Sequence, residues 1–254
     1  MLKILQKNYK RYVLEAAGLG IFMASACGFS VLLESPESPV NQLISNNFHR
    51  LILMGIAMGG TALGIFYSPI GKFSGAHINP AVTLSYWRLG KIHSTDAFFY
   101  IFSQYLGGTL VVYLMAFFIG NPLTAPPINY AITIPANGEV KNAFVVEFLI
   151  AFVMMTVVLW TSRSAFFSKF TRIFAGCLVC INVVVAAPIS GFGMNPARTF
   201  ASALPAQNFT DYWLYFFVPI ASMLLAAEMY RFFHSTEFLP SGLHPDCQHE
   251  VLKN

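Results

Sequence analysis

At 254 residues, 56% of them hydrophobic and only 10% charged, the chain falls far below the share of about a quarter charged residues that a water-exposed globule carries. A mean hydropathy of +0.60 excludes an ordinary soluble domain and places the chain in a lipid bilayer. The net charge of +4 is small, and nothing in its distribution points to nucleic acid.

The chain opens on a basic segment, residues 1–11, with Lys3, Lys7, Lys10 and Arg11. Six mostly apolar runs follow, at 12–33, 48–67, 97–119, 143–160, 173–189 and 212–233, each near the ~20 residues that cross about 30 Å of hydrocarbon. They are too long and too evenly apolar for tilted barrel strands, and a helix satisfies its own backbone in lipid, so all six are predicted helices. The first carries Glu15 in Val13-Leu14-Glu15-Ala16-Ala17, and the fourth carries Glu147 in Val145-Val146-Glu147-Phe148-Leu149. Two further stretches do not fit this series. Asn79-Pro80-Ala81 follows the second run and Asn195-Pro196-Ala197 follows the fifth. Each triplet reads as a helix start: Asn caps, Pro fits the first helical position because its missing N–H would be unbonded there, and Ala continues the helix cheaply. Only about ten residues separate each start from Arg88 or from the Leu204-Pro205 break, which at about 1.5 Å per residue crosses half a bilayer. Short helices in corresponding halves, each half opening on a Glu-bearing span, predict an inverted repeat of three spans plus a half-helix, with the half-helices meeting near the midplane. The expected fold is an all-α integral membrane protein of six transmembrane helices and two re-entrant half-helices. Residues 12–234 form one membrane domain, with a first repeat at about 12–120 and a second at about 143–234, and 235–254 form a tail.

Short cytoplasmic loops are enriched in Lys and Arg. The N-terminal cations share one face with Lys72, Arg88 and Lys91, with Arg163, Lys169 and Arg172, and with Arg231 if both termini are cytoplasmic. The opposite face offers Arg50 and Lys141, with Arg198 a separate case. The first apolar run is long and contains Glu15, so it reads as a retained helix rather than a cleaved signal, in a multi-pass protein of a plasma or inner cell membrane. Cys27, Cys177 and Cys180 fall within predicted spans and Cys247 in the tail, so no disulfide framework is implied, and the CxxC spacing of Cys177 and Cys180 is assigned to packing. Asn208-Phe209-Thr210 matches a glycosylation acceptor. The tail carries Pro240, His244, Pro245, Cys247 and His249 at spacings irregular for a metal site and reads as a flexible segment.

Ser74-Gly75-Ala76-His77-Ile78-Asn79-Pro80-Ala81-Val82-Thr83 and Gly191-Phe192-Gly193-Met194-Asn195-Pro196-Ala197-Arg198 resemble the two signature loops of the aquaporin and glycerol-facilitator family. The likeness runs from Glu15 to Tyr215-Phe216-Phe217-Val218-Pro219. It implies an hourglass monomer with its own pore, assembled as a homotetramer, that passes water and small neutral solutes without a cofactor. Half-helix N-termini expose unpaired N–H groups and positive partial charge, so two of them face to face disfavour a cation and form a barrier to protons and metal ions. Asn79 and Asn195 can cap their helices and still present amide protons to a passing oxygen. An Arg in an apolar setting faces an aqueous cavity or a partner, and the resemblance puts Arg198 at a narrow outer filter.

Spacing carries the rest of that filter to Gly59, twenty positions before Asn79, to Val183, twelve before Asn195, and to Phe192, three before it. Strict water channels of the family usually have a bulky aromatic and a His at the first two places. Gly59 and Val183 therefore predict a wider, less polar opening, and Phe192 resembles the aromatic of glycerol facilitators. Thr199, Ala203 and Tyr215-Phe216 resemble the water-channel branch instead. Water passage is expected, and passage of glycerol, urea, ammonia or neutral metalloid hydroxides stays open. The resemblance makes Glu15 and Glu147 braces of the re-entrant loops, with proton relay the competing reading, and puts His77 in the cytoplasmic vestibule. Gly18, Gly20, Gly55, Gly59, Gly60, Gly64, Gly107 and Gly108 are expected to let helices approach closely. No nucleophile, base or metal cluster converges, so a passive channel is favoured over an enzyme. An ion-coupled secondary transporter and a structural junction protein are the alternatives.

Overall fold

The computed structural model describes residues 2–234; the tail at 235–254, with His244, Cys247 and His249, lies outside the described residues. The helices are α1 (Leu2–Glu34), α2 (Pro39–Leu43), α3 (Asn47–Tyr67), α4 (Pro69–Ser74), α5 (Pro80–Arg88), α6 (Ser94–Ile119), α7 (Asn121–Thr124), α8 (Val140–Arg163), α9 (Thr171–Ser190), α10 (Pro196–Ala206) and α11 (Tyr212–Phe233). Six of them, α1, α3, α6, α8, α9 and α11, are long and apolar enough to cross a membrane, and no strand occurs among the described residues. Each predicted run lies inside one of these six. The start of α1 is earlier than the apolar pattern indicates because its polar first turns are tied down. Asn8 and Tyr12 donate to Asp96 Oδ1, at 2.9 and 2.5 Å, in the first turn of α6. Helix α10 also passes the expected Leu204-Pro205 break and ends at Ala206, where the N–H groups of Gln207 and Asn208 close on the carbonyls of Leu204 and Ala203.

The bundle is held where small residues let backbones approach, since burial against lipid offers little net hydrophobic gain. At the α1/α6 crossing a Cβ on Gly20 would stand 2.8 Å from Val111 Cγ2, and one on Gly107 would collide with the backbone of Ala16. At the α3/α9 crossing a Cβ on Gly55 would stand 2.7 Å from the carbonyl oxygen of Cys180. Gly60 and Gly64 face open space, so the close approach expected of them is absent. Cys27 is buried, Cys177 is exposed, and neither they nor Cys180 forms a disulfide. The half-helix α5 packs on α11 and α6, and α10 packs on α6 and α11, which sets both starts inside the bundle.

Candidate functional site

Two loops of matching geometry lead into the half-helices, Ser74 to Asn79 and Ser190 to Asn195. Each begins with a left-handed glycine, Gly75 at φ +94° and Gly191 at φ +75°, which ends the preceding helix. Left-handed non-glycine residues follow in register: Ala76 and Ile78 at φ +48° and +40°, Phe192 and Met194 at φ +57° and +48°. A β-branched residue such as Ile78 holds that conformation only when its surroundings over-determine it. They do so here. The Ile78 N–H donates to Glu15 Oε2 at 2.7 Å, and its carbonyl accepts from Asn195 Nδ2 at 2.7 Å. Met194 is held in the same way, its N–H donating to Glu147 Oε2 at 2.5 Å and its carbonyl accepting from Asn79 Nδ2 at 3.0 Å.

Glu15 and Glu147 are fully buried, one beneath each loop. Glu15 also accepts from the His77 N–H at 3.0 Å and from Gln104 Nε2 at 2.9 Å. Glu147 also accepts from the Gly193 N–H at 2.7 Å and from Ser190 Oγ at 2.6 Å. An ionised carboxylate accepts only, and all of its neighbours here are donors, which suits a brace for otherwise unbonded backbone N–H groups. Gln104, which the sequence pattern did not single out, ties the first brace to the half-helix by donating to Thr83 Oγ1 at 3.1 Å. His77 lies within that network, its Nδ1 3.1 Å from Thr83 Oγ1 and its ring stacked on Tyr86 at 4.8 Å.

The two asparagines cross-link the loops. Asn79 Oδ1 accepts from the Ala81 N–H at 2.9 Å, and Asn195 Oδ1 accepts from the N–H groups of Ala197 and Arg198 at 3.1 and 3.2 Å. Each Nδ2 donates to the carbonyl of the opposite loop, as above, and an amide nitrogen carries two protons. One proton of each therefore stays available where the two positive helix ends meet.

To one side of this junction lies a cavity of about 250 Å³, and Val183, Phe192 and Arg198 all line it. Arg198 Nη1 is buried without a hydrogen-bond partner, a donor that nothing in the protein uses. Gly59 does not line the cavity. It sits in the α3/α9 crossing, where a Cβ would stand 2.7 Å from Cys180 Cβ and 2.8 Å from the Gly176 carbonyl oxygen. Met58, one residue earlier, lines the cavity, as do Met54 and Leu51 on the same face of α3. Counting across a loop is good to about one residue, and one residue on a helix is about 100° of rotation, enough to exchange a lumen wall for a helix contact. The connector between the halves adds Pro127, Ile128, Ala131 and Ile132 to the wall, and α1 adds a face that includes Phe22, Ala26 and Glu34.

The match to the Major intrinsic protein family spans residues 4–230, which includes both loops and both glutamates and reaches into all six spanning helices. The chain belongs to that family. It is 28% identical to Aquaporin NIP2-3 of Zea mays over 94% of this chain and 74% of that one, and 27% identical to Nodulin-26 of Glycine max over 90% and 79%. In fold it superposes on the X-ray structure of the aquaglyceroporin from Plasmodium falciparum with a TM-score of 0.68 at 18% identity, covering 87% of this chain and 95% of that one. This Major intrinsic protein is a passive membrane channel for water and small solutes, not an enzyme.

Proposed function

We propose that this Major intrinsic protein conducts water and small uncharged solutes in single file past Asn79 and Asn195, through an outer constriction bounded by Met58, Val183, Phe192 and Arg198, and excludes protons and ions. The observation that carries this reading is the reciprocal tie of the two loops. It holds the amides of Asn79 and Asn195 at the meeting point of two helix N-termini and leaves each a free proton. A neutral oxygen gains a donor there, whereas a cation meets the positive ends of α5 and α10. The guanidinium of Arg198 adds a second barrier to cations in a cavity that it lines together with the apolar side chains of Met58, Val183 and Phe192. Met58 makes this opening narrower than a glycine would, while Val183 keeps it less polar than a water-only filter. The fuller reading is a homotetramer with a pore in each subunit, in a cell membrane, with both termini cytoplasmic as the distribution of Lys and Arg supports.

Stopped-flow light scattering on proteoliposomes tests the reading by comparing osmotic water efflux with glycerol and urea entry against protein-free vesicles. Fast water flux without coupling to a proton or sodium gradient is the expected result. Solute entry in addition identifies a facilitator of the glycerol type. Saturable, gradient-driven uptake would replace the channel with a transporter, and no flux of either kind would favour a structural junction role.

A further inference from the structure

The outer cavity contains two thioethers that neither water passage nor ion exclusion requires. Met54 and Met58 stand four residues apart on α3, hence on one face of the helix, and both line the cavity together with Arg198. Met54 is partly exposed, and Met58, although only 4% exposed, lines the cavity beside it, which Met154 and Met194 at 6% and 7% do not; Met23, Met155 and Met223 are completely buried in helix packing. Leucine would fill the same space at either position with little strain. Sulfur adds a lone pair beside a route for small uncharged molecules. Arg198 adds a positive charge to the same wall.

We propose that Met54 and Met58 are an oxidation site whose oxidant is a small uncharged peroxide arriving through the lumen, a proposal that rests on the reading of this cavity as part of the conducting path. With hydrogen peroxide, the sulfur lone pair attacks one oxygen and the O–O bond breaks with its electron pair passing to the other. That second oxygen takes up the proton of the first and leaves as water. The thioether is oxidised by two electrons to the sulfoxide, and the peroxide is reduced to water. The positive charge of Arg198, which lines the same cavity, favours the negative charge that builds on the departing oxygen. The product places a strong acceptor where an apolar sulfur stood. Its oxygen adds a polar atom to a narrow wall, so flux falls. Reduction to the thioether restores it.

The test exposes full-length protein in proteoliposomes to hydrogen peroxide and divides each sample between stopped-flow water efflux and peptide mass spectrometry of every methionine. Oxygen is expected to appear on Met54 and Met58 at least about fivefold faster than on Met23, Met155 and Met223 in the same molecules, as access governs thioether oxidation. Water efflux is expected to fall by about half or more and to recover with methionine sulfoxide reductase. A Met54→Leu, Met58→Leu double variant should keep its own untreated rate after the same exposure. Equal oxidation of lumen and buried methionines overturns the proposal, and that readout needs no variant to fold. Modified Met54 and Met58 with unchanged flux, or equal loss of flux in the double variant, also overturns it. Absence of water efflux before treatment defeats the channel reading instead, while the mass-spectrometric comparison still decides the oxidation site.

Discussion

Tyr100 and Tyr215 hold the two re-entrant loops in the same way, each hydroxyl donating a 2.6 Å hydrogen bond to the carbonyl of the serine from which its loop departs, Ser74 or Ser190. The tyrosines belong to α6 and α11, the third span of each half, so each loop is tied to the last span of its own repeat. The same serines turn the chain with their side chains, Ser74 Oγ accepting from the Ala76 N–H at 3.0 Å and Ser190 Oγ from the Phe192 N–H at 3.3 Å. A loop that carries left-handed non-glycine residues inside a membrane needs this many fixed points.

Tyr100→Phe and Tyr215→Phe should each lower stability by about 1–3 kcal/mol, the cost of leaving a buried carbonyl without its partner. The unfolding midpoint of the detergent-solubilised protein measures this. Equal midpoints for the variants and the parent would show that the serine carbonyls find other donors.

Glu15→Gln and Glu147→Gln each turn one acceptor oxygen into an amide that confronts a backbone N–H, at His77 or Ile78 in the first loop and at Gly193 or Met194 in the second. The cost of about 1–3 kcal/mol falls on the loop conformation itself. Water permeability per protein in proteoliposomes should drop severalfold for both variants. A proton relay predicts a different outcome, with water flux intact and a proton-dependent flux lost.

The half-helices were legible because capping Asn, proline and alanine obey local rules that hold in lipid as in water, and the Glu15 and Glu147 pair gave the repeat a second register mark. The wall of the cavity was less legible. Met58 and Gly59 differ by one position in a run where every residue is compatible with a helix, and only the contact with Cys180 and Gly176 decides which one turns inward. Ile128 and Ala131 were not foreseen at all, because an irregular connector has no periodicity from which to read a face. Arg50 was counted as a face marker, yet it is 7% exposed and clasps Glu34 at 3.1 Å and the Ile44 carbonyl at 2.8 Å. Its partners are set by the turn between α1 and α3, which charge counting does not see.

Gly59→Ala and Met58→Trp separate helix contact from lumen wall. The added methyl at Gly59 meets Cys180 and Gly176 and forces α3 and α9 apart, with an overpacking cost of about 1–3 kcal/mol and little change in the ratio of glycerol to water permeability. The indole at Met58, a side chain only 4% exposed, carries an overpacking cost of its own, so the permeability ratio separates the two variants: Met58→Trp should cut glycerol entry more than water efflux. If Gly59→Ala altered the ratio and Met58→Trp did not, the wall would belong to Gly59 after all.

Arg198→Met tests the filter charge with little confusion from stability. The hydrogen bond from the Arg198 N–H to Asn195 Oδ1 belongs to the backbone and survives the change, and Nη1 has no protein partner to lose. The guanidinium also interacts electrostatically with the buried Glu147, so the unfolding midpoint should fall slightly as that support is lost. Two fluxes should move. Proton leak, followed with a pH-sensitive dye trapped in proteoliposomes, should increase because one of two positive barriers is gone, with the helix ends at Asn79 and Asn195 supplying the other. Entry of urea and glycerol should rise relative to water as the opening widens. A fall in solute entry with unchanged proton leak would mean that Arg198 serves chiefly as a docking donor for solute and that the barrier to charge resides at the half-helix junction.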